Sequence, residues 1–198
     1  MSINLQKGQK VDLTKDNPNF SNIVVGLGWD PVRENKGLFG GLFGGSAPQI
    51  DCDASVIMLE DGDRFIRKED LIYFGNLKGE GINHTGDNLT GDGDGDDEQI
   101  IVKLNEVPQR IKKLVFVVNI YDCIKRKQHF GMIQNAFIRI VDKSNGKEFL
   151  KYNLSDNYNE KTALIAGEIY RYNGEWKFAA IGEGTRDASL SDLVRKYI

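Results

Sequence analysis

The chain has few cysteines, prolines and histidines and lacks any long apolar run. Its 198 residues include two Cys, four Pro and two His. Two cysteines are too few for a disulfide scaffold or a thiolate zinc site, and they favour a reducing, cytoplasmic setting. The sequence contains no stretch of about 18 apolar residues, so no transmembrane helix is predicted. Residues 1–8 lack the apolar core of a secretory signal, so none is expected.

The charge is nearly balanced, which argues against a nucleic-acid-binding role. There are 26 basic and 29 acidic residues, giving a formal net charge of −3 and a pI near 5.5. A protein that binds nucleic acid through its phosphates needs a basic surface. By contrast, glycine is abundant at 22 residues, and aromatic residues make up 10% of the chain. This composition favours many turns between strands over long helices or a disordered polar chain.

Short apolar segments rich in Val, Ile, Phe and Tyr recur along the chain. Gly, Asn and Asp bound them, which is the pattern of strands rather than helices. The pattern predicts nine strands, before any N-terminal strand is counted, at residues 23–27, 54–60, 70–74, 99–104, 114–121, 136–141, 148–152, 164–171 and 176–181.

Two turn signals and one apolar strand indicate how these strands pair. Asn145-Gly146 and Asn173-Gly174 each separate two apolar runs, which predicts antiparallel hairpins. Residues 114–118 are apolar at every position, so this strand should be central and covered on both faces. Only the C-terminus looks helical, where Ser189 and Asp192 suggest an N-terminal cap. We therefore predict a mainly β protein, an antiparallel β-sandwich with a few short helices, forming a single domain over residues 1–198.

A tandem repeat, Gly37-Leu38-Phe39-Gly40 followed by Gly41-Leu42-Phe43-Gly44, fits no regular element. Its glycines make ordering entropically costly, so residues 37–48 are expected to form a flexible insertion. Two interpretations are open: a mobile hairpin, or an apolar tip that contacts a partner or a membrane surface.

Residues 87–98 form an acidic segment with six carboxylates and no basic residue. Without it, the chain would carry 23 acidic and 26 basic residues. Like charges packed this closely raise the energy of an empty loop, and a hard cation with oxygen ligands lowers it. The alternative interpretation is a solvated Asp-Gly turn.

The segment does not match an EF-hand. Asp92, Asp94 and Asp96 occupy positions 1, 3 and 5 of the calcium loop. Position 6, which needs glycine, is Asp97, and position 12, which needs glutamate, is Lys103. A calcium site built here must therefore lie between strands and recruit ligands from elsewhere in the chain.

Acidic residues at the ends of other strands are candidates for those further ligands. Asp51 and Asp53 are two residues apart at the start of an apolar strand, so alternation places both carboxylates on one face. Asp30 follows the strand 23–27. Three separate segments thus bring carboxylates to strand ends, where a site built from loops would form.

Six stretches in this order resemble the TerD family of tellurite-resistance and general stress proteins. The resemblance covers nearly the whole chain, and a series of this length is highly specific. The matching stretches are Leu5-Gln6-Lys7-Gly8, Val25-Gly26-Leu27-Gly28-Trp29-Asp30, Asp51-Cys52-Asp53-Ala54-Ser55, residues 86–98, Phe130-Gly131-Met132-Ile133-Gln134-Asn135-Ala136 and Ala166-Gly167-Glu168-Ile169-Tyr170-Arg171.

The resemblance implies a non-enzymatic stress protein with two adjacent calcium ions. It implies a cytoplasmic location and leaves open peripheral association at the inner face of the membrane. The implied partners are paralogous TerD-type proteins and an integral membrane protein of the same operon. Cys52 stands in the middle of the family's Asp-Leu-Asp, and the insertion before Asp51 is a larger departure. The implied calcium ligands are Asp30, Asp51, Asp53, Asp87, Asn88, Asp92, Asp94, Asp96 and Glu98.

The sequence offers little support for an enzyme. His84 and His129 fall in no catalytic motif and are predicted to be surface or turn residues. Asp122 precedes Cys123, and its charge disfavours a thiolate. The chain has no Gly-x-Ser-x-Gly elbow and no phosphate-binding loop. The alternative to a calcium-ordered interaction module is a metal-dependent enzyme or phosphate-ligand site that uses the same aspartates. Calcium suits a cage of many carboxylates better than magnesium does.

Overall fold

The predicted strands form two packed sheets in a computed structural model that describes residues 2–15, 17, 19–32, 50–86 and 95–198. The glycine-rich insertion predicted at 37–48 lies outside these residues. The strands of the described residues are β1 Ile3–Leu5, β2 Lys10–Asp12, β3 Asn22–Pro31, β4 Cys52–Leu59, β5 Leu71–Ile72, β6 Lys78–Gly79, β7 Ile82–His84, β8 Glu98–Lys103, β9 Lys113–Ile120, β10 Ile133–Asp142, β11 Lys147–Asn153, β12 Ala163–Tyr172 and β13 Glu175–Thr185.

The first sheet has seven strands in the order β1-β11-β10-β3-β8-β7-β6, and the second has six in the order β2-β13-β12-β9-β4-β5. Neighbouring strands are antiparallel except for β1 and β11, which are parallel. One continuous apolar core lies between the two sheets. These observations confirm the predicted β-sandwich.

Strand β9 is covered on both faces, as its sequence predicts. Leu114, Phe116 and Val118 lie in the core between the sheets. Val115 and Val117 point to the outer face of the second sheet, where they join a smaller apolar cluster. A short helix, α1 Cys123–Arg126, follows β9.

Both predicted hairpins are present. The turn between β12 and β13 contains Asn173 at φ +52° and Gly174 at φ +83°, and the turn between β10 and β11 contains Gly146 at φ +71°. Positive φ costs little at Asn and Gly, so these residues determine where the strands reverse. In the second turn, the Asp142 carboxylate accepts hydrogen bonds from the Ser144 backbone and hydroxyl.

The C-terminal helix is capped as predicted. The Ser189 hydroxyl accepts a hydrogen bond from the Asp192 backbone N–H, and α2 runs over Leu190–Val194. The buried side chains of Leu193 and Val194 pack in the smaller cluster, so α2 covers part of the outer face of the second sheet. A cavity opens beside the start of α2.

The predicted strand 70–74 is shorter in the structure. A 3-10 turn occupies Lys68–Asp70, and only Leu71–Ile72 forms β5. Asp70 is buried and accepts hydrogen bonds from both terminal nitrogens of Arg110 at 2.5 and 2.9 Å. Two further 3-10 turns, Phe130–Met132 and Arg195–Tyr197, complete the helical content of the described residues.

Candidate metal centre

Five of the nine predicted calcium ligands lie in the described residues, and the strands bring them to one end of the sandwich. Strand β8 begins at Glu98 opposite Leu27 of β3, so Asp30 lies just past the start of β8. Asp51 and Asp53 lie at the start of β4, whose Ala54 N–H donates to the Glu98 carboxylate at 2.6 Å. The other four, Asp87, Asn88, Asp92 and Asp94, lie outside the described residues.

Asp96 is bound by an arginine of β10. Its two carboxylate oxygens accept hydrogen bonds from Arg139 Nε at 2.6 Å and Nη2 at 3.1 Å, and Gln99 Nε2 donates at 3.0 Å. This pairing raises the pKa of the Arg139 guanidinium above its usual value. The carboxylate lies over Gly26, where an added Cβ would overlap it, so this position of β3 has no room for a side chain.

Glu98 pairs with a buried histidine between the sheets. Its Oε2 lies 3.4 Å from His84 Nε2, and both side chains are 1% exposed. The Gly86 N–H donates to His84 Nδ1 at 3.1 Å, so the ring proton is on Nε2, which faces Glu98 and the Ala54 carbonyl. The prediction that His84 is a surface or turn residue is therefore wrong. The sequence around His84 does not indicate its burial, because the partners Glu98 and Ala54 lie in other segments of the chain.

Asp97, which the ligand set does not include, anchors the end of the acidic segment. Its carboxylate accepts a hydrogen bond from the Trp29 N–H at 2.7 Å, and its own N–H donates to the Leu27 carbonyl. Residues 96, 97 and 98 are therefore held by β10, β3 and β4 respectively. Nothing in the alternation of Asp and Gly indicates this anchoring role.

Asp30 and Asp51 each have a protein partner. Asn135 Nδ2 donates to Asp30 at 2.8 Å, and Asn135 has φ +57° at a bulge in β10. Arg126 Nη1 lies 3.3 Å from an Asp51 oxygen, and its guanidinium lies over the Tyr121 ring. Arg126 therefore contacts both the Asp51 carboxylate and the Tyr121 ring at this end of the sandwich.

Asp53 and Cys52 point to opposite sides of β4, as alternation predicts. Cys52 lies in the core between the sheets, and Asp53 lines a cavity on the outer face of the second sheet. Burial, with the nearby charges of Asp53 and Asp51, raises the pKa of the Cys52 thiol well above its usual value. The pKa of the Cys123 thiol is also raised by burial, so neither cysteine is poised as a nucleophile. His129 is a turn residue that caps the 3-10 turn at Phe130–Met132, as predicted.

The described residues do not by themselves complete a metal site. Among them, no group of three or more His, Cys, Asp or Glu side chains is placed to hold an ion. Asp96 and Glu98 already bind Arg139 and Ala54. A calcium ion here would need oxygen ligands from residues 87–94, and the assignment of all nine ligands stays a prediction.

The comparison with known protein families matches the TerD domain over residues 1–197. The chain belongs to the TerD family. Stress response protein SCP2 of Bacillus subtilis (strain 168) is 62% identical over 200 residues, which cover all of both chains. Tellurium resistance protein TerD of Serratia marcescens is 42% identical, covering 93% of this chain and 91% of that one. The resemblance noted from the sequence is confirmed.

Solved structures support the same TerD fold. A homologue of telluride resistance protein (TerD) from Streptomyces coelicolor A3(2) superposes with a TM-score of 0.62 at 19% identity, covering 87% of this chain and 97% of that one. Within the part of this TerD-family chain that the structure describes, no helix has the length and apolar composition needed to cross a membrane.

Proposed function

We propose that this member of the tellurium-resistance and general stress family binds two calcium ions and acts as a non-enzymatic interaction module. It would work in the cytoplasm with paralogous TerD-type proteins and an integral membrane protein of the same operon. Calcium would neutralise the acidic segment and order it into a rigid surface for a partner.

The observation that carries this proposal is the way both ends of the acidic segment are held. His84 accepts the Gly86 N–H on one side of the segment and faces Glu98 on the other. Residues 87–94, which carry three of the six carboxylates, connect these two ends in the sequence, and Asp30 and the start of β4 lie at the same end of the sandwich. Because both ends are fixed at one histidine, the six like charges of residues 87–98 are tethered to one short stretch of chain and repel one another, and a hard cation with oxygen ligands relieves that repulsion.

The donor set also fits calcium chemically. The predicted ligands supply carboxylate and amide oxygens and no sulfur or imidazole, which is the preference of a hard cation. Asp30 lies in β3 of the first sheet, Asp51 and Asp53 lie at the start of β4 in the second sheet, and the acidic segment supplies Asp87, Asn88, Asp92 and Asp94. Asp96 and Glu98 complete the predicted set, and at Asp96 calcium would compete with Arg139.

Calcium titration of chelator-stripped protein tests the proposal. We expect heat of binding by calorimetry and a stabilisation of about 2.7 kcal/mol for each bound ion at a hundredfold excess over its Kd. For a domain of this size that corresponds to a rise in Tm of roughly 5–11 °C. The double variant Asp92→Asn/Asp94→Asn should lose both signals. Asp61→Asn, an exposed acid in the turn after β4, is the matched control and should keep them.

The central claim fails if the wild type shows neither heat nor a Tm shift. It also fails if the double variant binds calcium as the Asp61→Asn control does. Magnesium at the same concentration should give a much smaller shift, because it keeps its waters and rarely occupies an all-protein cage.

A further inference from the structure

A cavity of about 420 Å³ opens on the outer face of the second sheet, beside the start of α2. The first residues of β4, the last residues of β9 and the end of β5 line it. Its volume lies in the range of small-molecule sites, which is about 300–1,000 Å³. It is distinct from the larger groove over the first sheet that Asp30 and Gly95 line.

The inner wall of this cavity carries two buried oxygen atoms that lack a hydrogen-bond partner. These atoms are Ser55 Oγ and Asn119 Oδ1. Ser55 is 1% exposed and Asn119 is 7% exposed. Asn119 lies directly opposite Asp53 on the neighbouring strand, and Ser55 is on the same face two residues along. A buried polar atom without a partner costs stability, so this wall is built to receive a hydrogen-bond donor.

The described residues that line the cavity carry a negative formal charge. Asp53 and Asp122 line it, and among the described residues that line it there is no Lys, Arg or His. Asp122 has Lys125 at 3.7 Å, but that lysine side chain is 84% exposed, so it screens the carboxylate weakly. A cationic donor would therefore be favoured over a neutral one.

The remaining wall is aromatic. Tyr73 and Phe74 stand edge to face with ring centroids 5.3 Å apart, and Tyr121 lines the cavity near the end of β9. Phe74 and Tyr121 are each about half exposed; Arg126 lies over one face of the Tyr121 ring, so the Phe74 ring is the more open of the two to a ligand. Aromatic faces attract organic cations and cover alkyl chains, whereas they offer no ligand to a bare metal ion.

We propose that this cavity binds a primary alkylammonium group. Such a group has three N–H donors, which match the oxygens of Ser55, Asn119 and Asp53, and its alkyl chain would lie along the aromatic wall. The proposal depends on the Ser55 and Asn119 oxygens and on the aromatic wall. It goes beyond the calcium proposal and needs no calcium, although Asp53 belongs to both predicted sets.

Titration of n-pentylammonium into chelator-treated protein tests the proposal. We expect one molecule to bind per chain by calorimetry. Tetramethylammonium, which has the charge but no N–H, should bind at least tenfold more weakly, and pentan-1-ol, which has no charge, should not bind measurably. Because no calcium is present, this result is independent of the calcium titration.

Two variants test the contacts without removing a predicted calcium ligand. Ser55→Ala and Asn119→Leu should each weaken n-pentylammonium binding about tenfold or more, since each removes a hydrogen bond to a charged group. Each should also raise the Tm of the ligand-free protein, because a buried atom without a partner is removed. Asn22→Ala, exposed at the start of β3 on the other sheet, is the control and should change neither value.

Three results would overturn the proposal. They are the absence of n-pentylammonium binding to the wild type, equal binding of tetramethylammonium, and unchanged affinity in both Ser55→Ala and Asn119→Leu.

Discussion

Removing Arg139 from its pair with the buried Asp96 should destabilise the fold by several kilocalories per mole, and Arg139→Leu measures that loss. The substitution leaves the Asp96 carboxylate, whose side chain is 1% exposed, without its cation. Removing one partner of a buried ion pair costs about 3–5 kcal/mol. Arg139 is itself 29% exposed, so we expect a loss near the lower end, about 3 kcal/mol. The corresponding fall in Tm is roughly 6–12 °C.

Urea unfolding in the presence of a chelator is the appropriate assay. Arg186→Leu is a matched control because Arg186 lies 2.5 Å from Glu160, but these side chains are 70% and 66% exposed. An exposed pair contributes less than about 1 kcal/mol. If Arg139→Leu loses no more than Arg186→Leu, the reasoning that Arg139 compensates a buried charge is refuted.

Repeating the measurement in saturating calcium separates two roles of Asp96. If calcium binds Asp96 as predicted, the ion supplies positive charge in place of the guanidinium. The loss caused by Arg139→Leu should then be smaller in calcium than in chelator. If Arg139→Leu destabilises the protein equally in both conditions, the prediction that Asp96 binds calcium is contradicted. Asp96 would then serve only to fix the end of the acidic segment through Arg139.

Two further predictions concern the first sheet. Gly28→Ala should destabilise the protein by about 1–3 kcal/mol in thermal unfolding, and an unchanged Tm would contradict it. The new Cβ would lie 2.5 Å from the Phe137 ring and 2.7 Å from the Gly95 carbonyl, which is backbone and cannot rotate away. Hydrogen bonds from Ser144 hold the pKa of Asp142 below its usual 3.8. The stability this provides is present above pH 3.8 and is lost as the pH falls through the lowered pKa. Ser144→Ala should raise the Asp142 pKa towards 3.8 in an NMR carboxyl titration, and an unmoved pKa would show that the hydroxyl does not stabilise the carboxylate.

Several elements of both sheets could be predicted because their determinants are local. The Asn-Gly turns reverse the chain through residues that accept positive φ, and uniform apolarity marks β9 as central. The same holds for the cap at Ser189 and for the opposed directions of Cys52 and Asp53. In each case a few adjacent residues carry both the signal and its physical cause.

The short strands could not be predicted in the same way. β1, β2, β6 and β7 have two or three residues each, too few to establish a period, and they exist because a longer neighbour offers free hydrogen-bonding groups. β1 even pairs in parallel with β11, and the paired residues Ile3 and Leu150 are 147 positions apart in the chain. Tertiary pairing, rather than propensity, determines these elements.

The sequence by itself determined the β-sandwich, the TerD family and the location of the acidic segment, because alternation, turn residues and charge density are properties of neighbouring residues. Only the tertiary structure decided how the end of that segment is held. Asp96 is hydrogen-bonded to Arg139, which is 43 residues away in the sequence, and Glu98 is hydrogen-bonded to the Ala54 N–H, which is 44 residues away. The cavity that Ser55 and Asn119 line likewise exists only where β4, β9 and α2 come together. Such contacts depend on which strands become neighbours, and no local pattern encodes that.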